Sequence, residues 1–233
     1  MSAVLYGVGV GPGDPELMTL KAHGLISQAP VVAYLVNKKG EGLAHSIAAE
    51  ALNPAAVHVT ILMIMAVERG PAMAAYDQGA EAIARHLEAG RDVVFLCEGD
   101  PFFYGSFMYL YSRLKDRFTC RAVPGVTSLT ACAAELGRPL AARNDVLKVL
   151  PAPLENDALA SELDHCDAVA IIKVGRHFPR IRGLLDGLGL LPHAHVVESA
   201  SMPEQKITPL ADVPEGGQPY FSTILIYKGS EAW

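Results

Sequence analysis

Long apolar runs, a surplus of basic residues and any cysteine pairing pattern are all missing from this 233-residue chain. No apolar stretch reaches the ~18 residues that a bilayer crossing needs. The N-terminus carries neither a basic region nor a signal-type cleavage pattern, so secretion is not indicated. The formal net charge is −6, with no basic block, which argues against nonspecific nucleic-acid binding. A local group of Arg and Lys could still hold a small anion. Cys97, Cys120, Cys132 and Cys166 lie far apart, three of them in or beside apolar runs. That usage fits a reducing compartment and a cytoplasmic protein, not a disulfide framework or a zinc site.

Several catalytic signatures are absent as well. From Gly7, a dinucleotide fingerprint would need glycine at its sixth position, where Pro12 stands. The second expected strand ends in Asn37-Lys38-Lys39, with no acidic residue to take a ribose. Prolines in the first loop also remove amide donors that a phosphate would use. No Gly-Lys-Ser/Thr occurs, which excludes a P-loop, and no G-x-S-x-G elbow occurs. His193 and His195 alternate at a strand start without an evident third ligand, so no metal site is expected.

Apolar residues make up 51% of the chain, enough for a substantial core. Short apolar runs at 3–10, 31–36, 57–62, 92–97 and 119–123 read as strands, separated by helical patterns at 16–28, 43–52, 72–88 and 107–115. Residues 63–71 read as a methionine-rich loop carrying Glu68 and Arg69. This alternation predicts βαβ units and a mostly parallel sheet covered on both faces. Beyond the segment Pro124 to Ser128 a helix runs to about Gly137, and from Arg138 the pattern changes. Strands at 146–150 and 168–174 still alternate with helices at 154–163 and 178–188. Those at 195–198, 205–210 and 221–227 follow with little helix between them, which predicts a partly antiparallel end to a second, mixed sheet. The expected architecture is α/β with two domains, 1–116 and 117–233.

Three strand ends are punctuated by glycine and proline: Gly11-Pro12-Gly13-Asp14-Pro15, Glu98-Gly99-Asp100-Pro101, and Pro124-Gly125-Val126-Thr127-Ser128. A fourth, Lys173-Val174-Gly175, closes another apolar run. Ligands of open α/β sheets bind beyond the carboxyl ends of the strands, which is where such loops fall. Stiff, bent loops expose amides and carbonyls, and they suit an adenosyl group better than a string of phosphates.

These segments resemble the signature segments of the tetrapyrrole (corrin/porphyrin) methyltransferases. The resemblance rests on Gly9 to Ala22, Glu98 to Pro101 and Val123 to Ser128, and it covers essentially the whole chain in order and spacing. Within that family, Phe102 to Leu110 and Ser201 to Lys206 are most similar to the precorrin-2 C20-methyltransferases. The resemblance implies S-adenosylmethionine as methyl donor, S-adenosylhomocysteine as product, a cofactor cleft between two α/β domains, and a homodimer. It implies cofactor contacts at Pro12, Glu98, Gly99, Asp100, Phe103, Ser106, Phe107, Thr127, Ser128, Val174 and Ala200. The implied reaction is methylation of a small-molecule tetrapyrrole, precorrin-2, at C20. Cobalt-factor II or another ring position remains open as substrate, as does a noncatalytic tetrapyrrole carrier.

A base that removes the surplus proton could be Tyr104, Asp100 or Tyr109. For Asp100, a structural carboxylate holding loop to helix is an equal reading. The substrate is rich in carboxylates, and Arg138, Arg143, Lys38, Lys39 and Arg69 lie in expected loops near strand ends. They are the candidate cations for gripping it.

Overall fold

The computed structural model describes residues 3–63, 69–214 and 221–229. The chain divides into two compact units, residues 1–127 and residues 128–233. The division expected after residue 116 therefore moves. The reason is β5 (Thr119–Val123), which hydrogen-bonds to β1 (Val4–Gly9) and so belongs to the first sheet.

In the first unit, β2 (Val31–Val36), β3 (Val57–Leu62) and β4 (Val93–Cys97) join β1 and β5 in the order β3-β2-β4-β1-β5. Every pairing is parallel, as the alternating pattern predicts. Strand β4 is buried along its whole length because both faces are covered. Phe95 and Cys97 pack on one side with α3 (Arg69–Glu88) and α4 (Phe107–Leu114), through Ile83, Leu87, Leu110 and Leu114. Val94 and Leu96 pack on the other side with α1 (Leu20–Gln28) and α2 (Leu43–Ile47), through Ala22, Ile26 and Ile47.

Two local details differ from the sequence reading. The helix expected from Glu16 is split into a 3₁₀ turn, Pro15–Leu17, and α1. Asp14 accepts the Glu16 amide at 2.8 Å and Thr19 accepts the Ala22 amide at 3.2 Å, so each piece has its own N-cap. Helix α3 starts at Arg69, inside the expected loop, while residues 64–68 lie outside the described residues.

The second unit contains α5 (Ser128–Leu136), β6 (Leu147–Pro151), α6 (Asn156–Asp164), β7 (Ala168–Ile172), α7 (Phe178–Gly187), β8 (Ala194–Glu198), β9 (Lys206–Pro209) and β10 (Ser222–Tyr227). Its sheet runs β6-β7-β10-β8-β9. Only β6 with β7 is parallel among these pairings, which gives the expected mixed sheet. Leu159, Leu163, Phe178, Ile181 and Leu185 from α6 and α7 cover Val169, Ile171, Val196 and Ile224.

Candidate active site

Strand order brings three motif loops together. β1 lies between β4 and β5, so Gly11–Pro15, Glu98–Gly105 and Pro124–Thr127 leave neighbouring carboxyl ends of one parallel sheet. The loops touch through backbone. The Gly99 amide donates to the Gly11 carbonyl at 2.8 Å, and the Gly11 amide returns a 3.4 Å bond to the Gly99 carbonyl. A Cβ on Gly9 would sit 2.4 Å from the Gly99 oxygen and 2.8 Å from Gly125. A Cβ on Gly125 would sit 2.1 Å from that same oxygen. No larger residue fits at either place without moving backbone.

Asp100 ties this cradle together. Its Oδ1 accepts the amides of Phe102 at 2.9 Å and Phe103 at 3.0 Å, and its Oδ2 accepts the Gly125 amide at 3.1 Å. Three backbone donors on one carboxylate make a brace between the β4 and β5 loops, each bond being of the stronger, charge-assisted kind. This geometry favours the structural reading of Asp100 over a proton-accepting one.

The half-buried Glu98 carboxyl lies before the cradle. Burial raises its pKa, opposed by hydrogen bonds from its own amide and from the Ala44 amide at the start of α2. No Lys or Arg occurs in residues 9–15, 98–107 or 124–128. The cradle therefore offers amides, carbonyls and carboxylates without a cation, a donor set that fits a sulfonium nucleoside and does not fit a polyphosphate.

The remaining expected contacts from the first unit and from Ser128, the first residue of the second, divide into surface and core. Pro12, Phe103 and Thr127 are half-buried and Ser128 is exposed. Ser106 is half-buried at the N-cap position of α4 and hydrogen-bonds the Cys97 thiol, whose pKa is pushed up by burial. The Phe107 side chain is fully buried. The ring lies over Gly7, where a Cβ would come within 2.3 Å of it, and 6.2 Å from the Phe95 ring. Its side chain is a core anchor for α4; only its backbone remains available at the helix start.

Tyr104 is exposed and sits at φ +55°, in the left-handed region that non-glycine residues seldom occupy, with its ring edge-on to Phe103 at 5.3 Å. Tyr109 stacks on the buried Tyr76 of α3 at 4.6 Å. Arg113 holds the same two helices together, pairing with Asp77 at 2.6 Å and donating to the Tyr109 carbonyl at 2.8 Å. Lys38 and Lys39 are exposed in the turn after β2, at the same sheet edge as the cradle. That turn is closed on Asn37, whose Oδ1 accepts the Lys39 amide at 2.8 Å. The Arg69 side chain lies outside the described residues.

The second unit has an edge of its own. Lys173, just after β7, has φ +59°, and Ser199 and Ser201, just after β8, have φ +47° and +63°. Both strands flank β10, so the three strained residues gather at one edge of the sheet. Val174 and Ala200 lie in these two turns and are buried at 0% and 7% exposure. The Val174 side chain packs with Ile171 and Phe178 in the core, so any ligand contact there runs through backbone. The sequence marks Lys173-Val174-Gly175 as a strand end, but the strained torsions of Lys173, Ser199 and Ser201 carry no signal in residue type, since Lys and Ser have no preference for positive φ.

Arg138 is placed elsewhere. Its guanidinium lies 4.9 Å over the ring of Tyr227, the last residue of β10, in a small hollow shared with His193 and His195 at the start of β8. Burial and then Arg138 lower the His195 pKa. In an antiparallel arrangement the end of β10 meets the starts of β7 and β8, which is the edge opposite Val174 and Ala200. The structure thus separates Arg138 from that candidate cofactor edge. Arg143 is exposed, at φ +48°, in the loop before β6. Among the described residues no group of three metal-binding side chains gathers, and no helix is long and apolar enough to cross a membrane.

Comparison with known proteins bears on this arrangement. Residues 4–214 match the profile of the Tetrapyrrole (Corrin/Porphyrin) Methylases. The chain is 42% identical to the cobalamin biosynthesis protein CobIJ of Mycobacterium tuberculosis, over 97% of this chain and 46% of that protein. It therefore spans about half the length of that relative. It is 39% identical to the precorrin-2 C(20)-methyltransferase of a Sinorhizobium species, over 95% of this chain and 94% of the relative. A cobalt-precorrin-2 C(20)-methyltransferase of Salmonella typhimurium is 31% identical over 98% of each chain. Among solved structures, uroporphyrin-III C-methyltransferase from Thermus thermophilus, complexed with S-adenosylhomocysteine, superposes with a TM-score of 0.68 at 27% identity, covering 96% of both chains. A cobalt precorrin-4 methyltransferase shares the fold, with a TM-score of 0.75 over 96% of this chain and 94% of that one. The chain, with its glycine cradle at the carboxyl edge of a parallel sheet, belongs to the tetrapyrrole (corrin/porphyrin) methylases.

Proposed function

We propose that this chain methylates precorrin-2 at C20 with S-adenosylmethionine, giving precorrin-3A in cobalamin biosynthesis. The observation that carries the proposal is the 39% identity to a precorrin-2 C(20)-methyltransferase over nearly the full length of both chains. The cation-free cradle supports it, because residues 9–15, 98–107 and 124–128 present a surface that a positively charged methyl donor can approach.

When bound, the cofactor supplies an electrophilic methyl group on sulfonium sulfur. The nucleophile is the electron-rich meso carbon of the substrate. That carbon would accept the methyl group and would then have a surplus proton to give up to a group on this chain or to water. Much of the reactivity belongs to the substrate, so the protein's task is alignment, which lowers such barriers by up to ~7–11 kcal/mol. In this reading the Gly99 and Gly125 backbone holds the donor, with Asp100 fixing both loops. Tyr104, exposed on the β4 loop, is the better placed of the two tyrosines to take the proton, because Tyr109 is stacked on Tyr76. Lys38 and Lys39 are candidates to meet substrate carboxylates from the turn after β2. We read the protein as a cytoplasmic homodimer.

A second reading, methylation at the same carbon of a cobalt-containing ring (cobalt-precorrin-2 or cobalt-factor II), draws on the 31% identity to a cobalt-precorrin-2 C(20)-methyltransferase. Incubation with each tetrapyrrole separates the two: the proposal expects faster turnover of the metal-free ring, and the reverse order would replace it. A noncatalytic carrier would bind the pigment with no turnover and no effect of S-adenosylhomocysteine.

A further inference from the structure

The turn after β8 is held by a side chain to which the reading above gives no role. Ser199 and Ser201 both occupy the left-handed region, at φ +47° and +63°. Non-glycine residues stay there only where surrounding contacts impose it. Part of the restraint is backbone: the Ser199 amide donates to the Phe221 carbonyl at 2.8 Å and the Met202 amide to the Ser199 carbonyl at 3.0 Å. The rest is Gln205. Its Oε1 accepts the Ser201 amide at 2.5 Å, and its Nε2 donates to Glu135 Oε2 at 2.7 Å. Glu135 belongs to the last turn of α5, and α5 begins at Ser128.

One primary amide thus bridges two elements far apart in sequence. At one end is the turn containing Ala200. At the other is the helix whose first residue is Ser128. Both Ala200 and Ser128 are candidate cofactor contacts. The amide suits this position because it supplies one acceptor and one donor in a fixed plane. A carboxylate could not donate to Glu135, and an ammonium could not accept from Ser201.

We propose that Gln205 is a positioning residue for the methyl-donor site, fixing the strained Ser199–Ser201 turn against α5 through Glu135. The inference rests on the proposed methyl-donor reading and deepens it. Gln205 itself need not touch the ligand. It sets the backbone of Ala200 at the edge where β7 and β8 end, and without it the turn relaxes toward ordinary φ values.

The test is calorimetric titration of S-adenosylhomocysteine into the full chain and into Gln205→Ala, Glu135→Ala, Glu135→Gln and the Gln205→Ala/Glu135→Ala double variant. The unliganded melting temperature of each is measured alongside. Each alanine variant should bind about tenfold more weakly, the scale of one lost hydrogen-bond restraint. The double variant should bind no more weakly than Gln205→Ala, because both changes break one bridge. Glu135→Gln keeps an acceptor oxygen and should stay within about twofold of the parent. Should Gln205→Ala fail to fold, Glu135→Ala breaks the same bridge from an exposed helix position. Parent-like affinity in the alanine variants, or a double variant roughly a hundredfold weaker by simple addition, overturns the proposal. So does a fall in unliganded melting temperature large enough to account for the affinity loss. A parent chain that does not bind S-adenosylhomocysteine instead removes the methyl-donor reading itself.

Discussion

The two sheets solve one geometric problem with different residues. Each must bend its chain sharply where strands end, and each places left-handed backbone there. In the first unit two of these positions are Gly11 at φ +87° and Gly99 at φ +62°, beside Tyr104 at +55°. In the second unit the corresponding turns use Lys173, Ser199 and Ser201. Glycine takes such torsions without steric cost, whereas a side chain pays for them and depends on neighbours to stay. The first edge is therefore built by close backbone approach, and the second by side-chain restraint.

Substitution at the cradle should have the largest effect. Gly125→Ala puts a Cβ 2.1 Å from the Gly99 oxygen, where only backbone can yield. Overpacking of that kind costs about 3 kcal/mol, so the melting temperature should fall by about 6–12 °C and S-adenosylhomocysteine binding should be lost. A variant that keeps parent melting and binding would show that the loops are loose. Asp100→Ala comes next. It leaves the Phe102, Phe103 and Gly125 amides without their acceptor, and about 2–3 kcal/mol of stability should go with it in urea titration. Asp100→Asn keeps one acceptor oxygen and should lose less.

The sharpest contrast between the edges is one of sign. Gly99→Ala should destabilise by about 1 kcal/mol or more, since it places a side chain at positive φ. Ser199→Gly should stabilise by about 0.5–1 kcal/mol, the relief of strain exceeding the entropy that glycine adds to the unfolded chain. Equal signs in a thermal or urea melt would end the distinction between the two edges.

These asymmetries also decide what could be read from the chain. The parallel sheet, the mixed sheet and the position of Gly11, Gly99 and Gly125 at strand ends were legible, because strand periodicity and Gly-Pro punctuation have local causes. The place of β5 in the first sheet was not, since pairing partners are a long-range choice. That the Phe107 ring lies in the core was not legible, because a motif position does not say which way its ring turns over Gly7. Arg138 was expected by its loop alone as a grip for substrate carboxylates, and the antiparallel run of β10 places its partner Tyr227 at the edge opposite Val174 and Ala200. Gln205 and Glu135 carried no local signal as a pair. The bridge between them spans 70 residues of sequence.

Two smaller effects refine the picture of the first edge. Burial holds the Glu98 carboxyl above its ordinary value of 4.5 in the folded chain. The folded state therefore keeps this proton more tightly than the unfolded state does. Its contribution to stability is complete below the unfolded pKa and is lost as pH rises through the folded one. Glu98→Gln should remove that pH-dependent loss, visible as a flatter plot of melting temperature against pH above 4.5. An unchanged slope would place the Glu98 carboxyl in water. The smallest change is expected from Lys38→Ala/Lys39→Ala. Exposed charge pairs contribute about 0.5–1 kcal/mol, so KM for the tetrapyrrole should rise by roughly threefold with kcat unaffected.

The most direct measurement is transfer itself. The purified chain is incubated with precorrin-2 and S-adenosylmethionine bearing a ¹³C methyl group, and the product is examined by NMR. A single labelled methyl at C20 is the predicted result. Label at any other ring carbon, or pigment recovered without label while a control methyltransferase turns over the same donor, would contradict the account.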